Sequence, residues 1–120
     1  MKGGIIILNQ VILVGRLVRD PVVKKGEKKK DVSYITVAVP RSFKDANGEY
    51  QTDFINVVLF DLVAKNTAEY CKKGSIIGVK GRLQSSVVEN DEDKEYHTDI
   101  IAEKITFLSS KSDDFPQSEE

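Results

Sequence analysis

Two phenylalanines, Phe54 and Phe60, stand at the ends of one set of alternate residues in DFINVVLF, residues 53–60. Read as a β-strand, the stretch sends Ile55, Val57 and Leu59 to one face and Phe54, Asn56, Val58 and Phe60 to the other. At about 3.3 Å per residue the two rings are separated by roughly 20 Å along the strand. The aliphatic set is an ordinary core face, so the aromatic set is left outside. Leaving two phenylalanines in water forgoes several kcal/mol of burial unless something covers them. Unpaired bases would do so, because every base has a π-face and stacking on an aromatic is worth about 1–3 kcal/mol per base. Phe43 precedes the strand between Arg41 and Lys44, an arrangement in which a ring takes a base and the flanking cations take phosphates. The competing reading is that Phe54 and Phe60 are covered by a loop or by another subunit.

Other chemistry finds little support. His97 is the only histidine, and neither a paired Cys/His metal spacing nor a Gly-rich phosphate loop occurs. Asp91, Glu92 and Asp93 adjoin Lys94 and read as solvated charge rather than a cation site. Neither an enzyme nor a cofactor or metal protein is expected.

The chain has 120 residues and a net charge of −1, unevenly spread. Residues 1–88 hold 15 Lys/Arg against 8 Asp/Glu, whereas residues 89–120 hold 3 against 11. A basic body with an acidic end fits a polyanion-binding surface joined to a separate segment. Cys71 has no partner cysteine for an intrachain disulfide, which fits a reducing cytoplasmic setting. The apolar N-terminal stretch is broken by Asn9 and Gln10, so neither a signal peptide nor a membrane span is expected.

The elements that must position the aromatics follow from patterning. Residues 9–18 are apolar on both parities, as in a strand buried on two sides, with Gly15 marking a bend. Residues 24–30 form a turn with five lysines. Residues 33–39 alternate Ile35, Val37 and Val39 against Tyr34, Thr36 and Ala38, and Pro40 is expected to end this second strand. A loop over residues 41–52, with an Asn47-Gly48 turn signal, leads to the third strand. Residues 61–74 read as the single helix, with Asp61 as N-cap, Lys72 and Lys73 in the last turn and Gly74 just beyond. A fourth strand places Ile77, Val79, Gly81 and Leu83 inward and Lys80 and Arg82 outward, and a charged hairpin tip over residues 88–95 leads to a fifth ending near Leu108. Three strands, a helix and two strands is the order of an OB-fold, an all-β five-stranded Greek-key barrel with its helix between strands 3 and 4. A sheet with one helix packed at its end would show the same order. One domain over residues 1–108 and a short flexible acidic tail over residues 109–120 are expected.

The stretches NQVILVGRLVRDP (residues 9–21), DFINVVLFDLVAKNTAEYCKKGS (residues 53–75) and VKGRLQS (residues 79–85) resemble the bacterial-type single-stranded DNA-binding proteins, and the likeness runs from residue 9 to residue 108. The resemblance implies a homotetramer that coats single-stranded DNA in replication, recombination or repair, in the cytoplasm at the nucleoid. It puts the stacking positions at Phe43, Phe54 and Phe60. Tryptophan is common at the first two, so phenylalanine implies a smaller stacking face. Lys73 matches a basic position that meets the phosphate backbone, and Arg16, Arg41, Lys44, Lys80 and Arg82 are further candidates. Val88 stands where the family has another aromatic and Ser86 where many relatives have a cation, so this half of the binding path departs from the pattern. Residues 5–8 precede the family's usual start and are expected to lengthen the first strand or cover an edge. Asp113, Asp114, Phe115 and Pro116 resemble the acidic, phenylalanine-bearing tip that recruits replication or recombination proteins, with Phe and Pro in reversed order. The rival use of the fold is an RNA-binding or protein-interaction module.

Overall fold

Period-two alternation in separated stretches is satisfied when each strand turns one face into a shared interior. The computed structural model describes residues 8–109. It contains β1 (Val11–Leu17), β2 (Lys24–Lys25), β3 (Asp31–Lys44), β4 (Tyr50–Phe60), α1 (Asp61–Tyr70), β5 (Ile76–Glu89) and β6 (Lys94–Phe107), with a 3₁₀ turn at Glu27–Lys29. The sheet runs β1-β5-β6-β4-β3-β2 and closes on itself because β1 also pairs with β3. Apart from the two-residue β2, five strands form the barrel, and α1 lies between the third and fourth of them, as an OB-fold requires. The interior is aliphatic: Leu17, Ile35, Val37, Val57, Leu59, Ile77 and Val79 are buried together, with Ala64 of α1 and Cys71 just after it packed into the same core.

Closure depends on β1 serving two neighbours. Val11 to Arg16 pair antiparallel with β5, and Arg16 and Leu17 pair with Ala38 and Val37 of β3. At the crossing a Cβ on Gly15 would stand 2.5 Å from both the Ala38 carbonyl oxygen and Val37 Cγ1, so no larger residue fits. A second close approach occurs in β5, where the register against β6 shifts between Lys80 and Gly81. A Cβ on Gly81 would lie 2.3 Å from the Ile101 carbonyl oxygen.

Several local expectations are corrected. Pro40 does not end its strand: β3 continues to Lys44, with Pro40 opposite Thr52 and an irregularity between Pro40 and Lys44. Proline is tolerated there because β1 has already left β3, so no ladder partner needs its missing N–H. The expected loop over residues 41–52 shrinks to residues 45–49. Asp45 closes it by accepting from the backbone N–H groups of Asn47 and Glu49, both at 2.9 Å. These bonds, Glu49's first, hold the Asp45 carboxyl below its ordinary range.

Asp61 is the first residue of α1 rather than its N-cap; Phe60 occupies the cap position without a side-chain bond, and Asp61 adopts a left-handed φ of 55°. Lys72 and Lys73 follow the helix instead of lying in its last turn, in a turn closed by Ser75 N–H to the Lys72 carbonyl at 2.9 Å. Strand β1 is not buried on both sides, since Ile12 and Val14 are exposed. Leu83 is exposed rather than inward, because the interior of the barrel ends near Gly81 and β5 and β6 run on as a two-stranded arm. The hairpin tip shortens to residues 90–93 for the same reason. Leu8 is exposed and lies outside β1. Residues 1–7 and the tail residues Asp113, Asp114, Phe115 and Pro116 lie outside the described residues.

The two close approaches make a stability prediction. Gly81→Ala should cost about 1–3 kcal/mol through forced backbone displacement, read as a fall in Tm of roughly 5–15 °C. Gly78→Ala, whose Cβ would meet Thr106 Cβ at an ordinary 3.7 Å, should leave Tm nearly unchanged. Thermal melts followed by circular dichroism would compare the two, and equal Tm values would refute the role given to Gly81.

Candidate nucleic-acid interface

Residues directly opposite in an antiparallel pair share a face of the sheet. The β3–β4 register therefore builds the outer surface row by row: Val32 with Phe60, Tyr34 with Val58, Thr36 with Asn56, and Ala38 with Phe54. On this face Phe54 is 65% and Phe60 42% exposed. Phe43 is 65% exposed on the part of β3 that runs beyond the barrel. Phe54 and Phe60, picked out by alternation, and Phe43, picked out by its flanking cations, thus all remain exposed within the single chain. Asn56 and Thr36, between the aromatic rows, are bonded to each other at 2.9 Å, and Arg19 Nη1 donates to Thr36 Oγ1 at 3.3 Å. Val32, Val58 and Ile101 form a small buried apolar cluster on the same face. Val58 therefore departs from a simple outward reading. It pairs with Ile101 of the parallel neighbour β6.

The candidate cations divide by position. Arg16 lies opposite Ala38, which lies opposite Phe54, so it extends the Phe54 row onto β1. Its Nη1 donates to the Gly74 carbonyl at 3.0 Å, which brings the Lys73-Gly74 turn beside it. Lys73 is itself exposed, and its backbone N–H donates to Asp20 at 2.7 Å. Arg82 pairs with Ile101, placing it in the row of Val58 and Tyr34, with Glu103 3.7 Å away and a hydrogen bond to Gln84. Lys80 stands apart, in a row with Ile12 and Lys104 that meets neither β3 nor β4.

Arg41 and Lys44 flank Phe43 but are differently committed. The Arg41 guanidinium grips Asp53 through Nη2 at 2.8 Å and Nε at 3.1 Å. This bond raises the Arg41 pKa and holds the Asp53 carboxyl below its ordinary range. A depressed carboxylate stays ionised down through the usual range and loses its partner only as pH falls through the lowered value, so the pair is intact at neutral pH. Lys44 Nζ lies 5.7 Å from the centre of the Tyr50 ring, a cation–π contact across the base of the loop.

Sequence reasoning missed Tyr34 as a site residue, although its parity with Thr36 and Ala38 already put it on the outer face. Tyr34 is 54% exposed, and Lys24 Nζ lies 5.1 Å from the centre of its ring. Tyr50 and Tyr96 are also exposed, in positions where spacing alone gave no signal. His97 is exposed on β6, its Nε2 3.3 Å from Glu95. Among the described residues no group of three or more His, Cys, Asp or Glu is placed to hold a metal ion, and no helix is long and apolar enough to cross a membrane.

Residues 8–108 match the model of the single-strand binding protein family. Single-stranded DNA-binding protein B of Bacillus subtilis (strain 168) is 44% identical over 104 residues, covering 86% of this chain and 92% of the relative. Single-stranded DNA-binding protein 1 of Staphylococcus aureus (strain MSSA476) is 44% identical over 108 residues, 89% of this chain and 69% of the relative. The protein 1 of Lactococcus lactis subsp. lactis (strain IL1403) is 42% identical over 104 residues, 86% and 69% of the two chains. With the closed barrel and its outward aromatics, these matches establish that the chain belongs to the single-strand binding protein family.

Proposed function

We propose that this chain binds and protects single-stranded DNA without sequence preference, during replication, recombination or repair in the cytoplasm, at the nucleoid. The observation that carries the reading is the exposure of Phe43, Phe54 and Phe60 together, on or beside one outer face that also presents Arg16. Stacking on these rings holds successive bases whatever their identity, and Arg16, Lys44, Lys73 and Arg82 meet the phosphates. Arg41 contributes only when Asp53 releases it, and Lys80 is the most remote of the candidates. The protein acts by binding and not by catalysis. Residues up to 108 are the binding domain, and residues 109–120 are an acidic tail whose Asp113, Asp114, Phe115 and Pro116 offer a docking peptide to replication or recombination proteins.

The working form is a homotetramer. Support comes from Ile12 and Val14, which leave an apolar strip on the outer face of β1 at 70% and 53% exposure in the single chain. Replacing both by aspartate should dissociate the assembly while the barrel survives. Sedimentation of the parent and the double variant would check this, and an unchanged mass would place the interface elsewhere.

Anisotropy of labelled oligo-dT, titrated at several salt concentrations and competed with duplex DNA and oligo-U, tests the binding itself. Phe54→Ala and Phe60→Ala should each weaken binding by about 5- to 100-fold, with Tm retained; unchanged affinity in both would rule out stacking there. Asp53→Ala should free Arg41 for phosphate, tightening binding at low salt and steepening the log–log salt dependence by about 0.7. A slope equal to the parent's would exclude Arg41 from the path. Tight oligo-U binding that matches oligo-dT would favour an RNA-binding role instead.

A further inference from the structure

The outer face has two ends, and their chemistry differs. One end is the β5–β6 arm. Its registered pairs on the side continuous with Arg82 and Ile101 are Gln84 with Asp99, Ser86 with His97, and Val88 with Glu95. Glu89, Asp91, Glu92 and Asp93 crowd its tip around a single lysine, Lys94. Among the described residues this side of the arm carries no phenylalanine, tyrosine or tryptophan, its one ring being the His97 imidazole, and a polyanion approaching it meets Asp99 and Glu95.

The other end is built by the lysine-rich turn folding back over β3. Lys24 and Lys25 of β2 pair with Val32 and Asp31. The 3₁₀ turn reverses through Gly26, whose N–H donates to the Lys30 carbonyl at 2.7 Å, and Lys28 and Lys29 take left-handed φ values of 59° and 60°. Lys25 is engaged by Asp31 and therefore belongs to the scaffold of the turn. Lys24, Lys28 and Lys30 are exposed. Between this turn and the sheet lies an open cleft of about 410 Å³, walled by Lys28, Lys30, Val32, Tyr34 and Phe60, with Glu27 the one carboxylate on its lining. Phe60 and the half-exposed Tyr34 thus both line it, together with Val32 and the Lys28 and Lys30 of the turn.

Resting on the proposed single-strand function, we infer that this cleft is a further base-binding subsite. Tyr34 supplies the stacking face next to Phe60, and Lys24, Lys28 and Lys30 hold the phosphates on either side of the base. The strand is drawn past Phe60 toward the lysine turn, because Tyr34 and the turn's lysines lie together there, whereas the β5–β6 arm beyond Arg82 carries Asp99 and Glu95.

The test uses the full chain and labelled oligo-dT. Tyr34→Ala should weaken binding by about tenfold, while Tyr34→Phe, which keeps the ring, should stay within twofold of the parent. Lys28→Ala combined with Lys30→Ala should flatten the log–log salt dependence by about 1.4, the effect of two lost phosphate contacts on a single strand. Because the chain has no tryptophan, Tyr34→Trp would carry the only indole emission, which should be quenched on saturation with oligo-dT. Parent-like affinity in Tyr34→Ala would overturn the subsite while leaving the single-strand function standing. So would weakened binding without indole quenching, since Tyr34 would then act by shape and not by stacking. Failure of the parent to bind oligo-dT would remove the function and the subsite together.

Discussion

Closure of the barrel by β1 is the constraint on which the rest depends. One strand of seven residues has to satisfy β5 along most of its length and β3 at its end, and the backbones approach so closely at Gly15 that a methyl group would collide with a carbonyl. Once the sheet is closed, every central strand has one face inside and one outside. The interior is then filled by aliphatic side chains, among them Val37, Val57, Leu59, Ile77 and Val79, contributed by the inward parity of each strand. The aromatics on the other parity are consequently committed to the outer face.

That outer face is a continuous surface because the strands outrun the barrel. β3 and β4 extend past the crossing with β1 as a hairpin, carrying Phe43, and β5 and β6 extend as a second arm. An arm freed from the interior has no core side, which is why Leu83 faces solvent and proline is accepted at position 40. The same freedom lets charged pairs settle along the hairpin. Arg41 bound to Asp53 and Lys44 over Tyr50 stiffen the segment that presents Phe43, at the expense of Arg41's availability to an anion.

Charge is distributed along this face with a direction. Cations gather at the turn of β2 and at the Lys73-Gly74 turn beside Arg16, whereas the β5–β6 arm gathers carboxylates. Exposed ion pairs of this kind contribute little to stability, since solvent and salt screen them. Their effect on a long polyanion is larger, because many weak contacts act on one ligand and set the route it follows.

The sequence by itself determined the order of elements, the inward sets around Ile35 and Val37 and around Val57 and Leu59, and the outward placement of Phe54 and Phe60, because side-chain alternation is a local property that survives any packing with one buried face. It also marked Gly15 as special. What it could not show were the ends: whether Pro40 stopped a strand, where the interior ceased along β5, and which residue capped α1 depended on neighbours distant in the chain. Only the tertiary structure decided which cations stand with the aromatics. Arg16 reaches the Phe54 row through β3, Lys80 falls in another row, Arg41 is taken by Asp53, and Tyr34 gains its neighbours only when the lysine turn folds over β3. These are relations between strands, set by register and closure, and a single chain's pattern carries no register until its partners are in place.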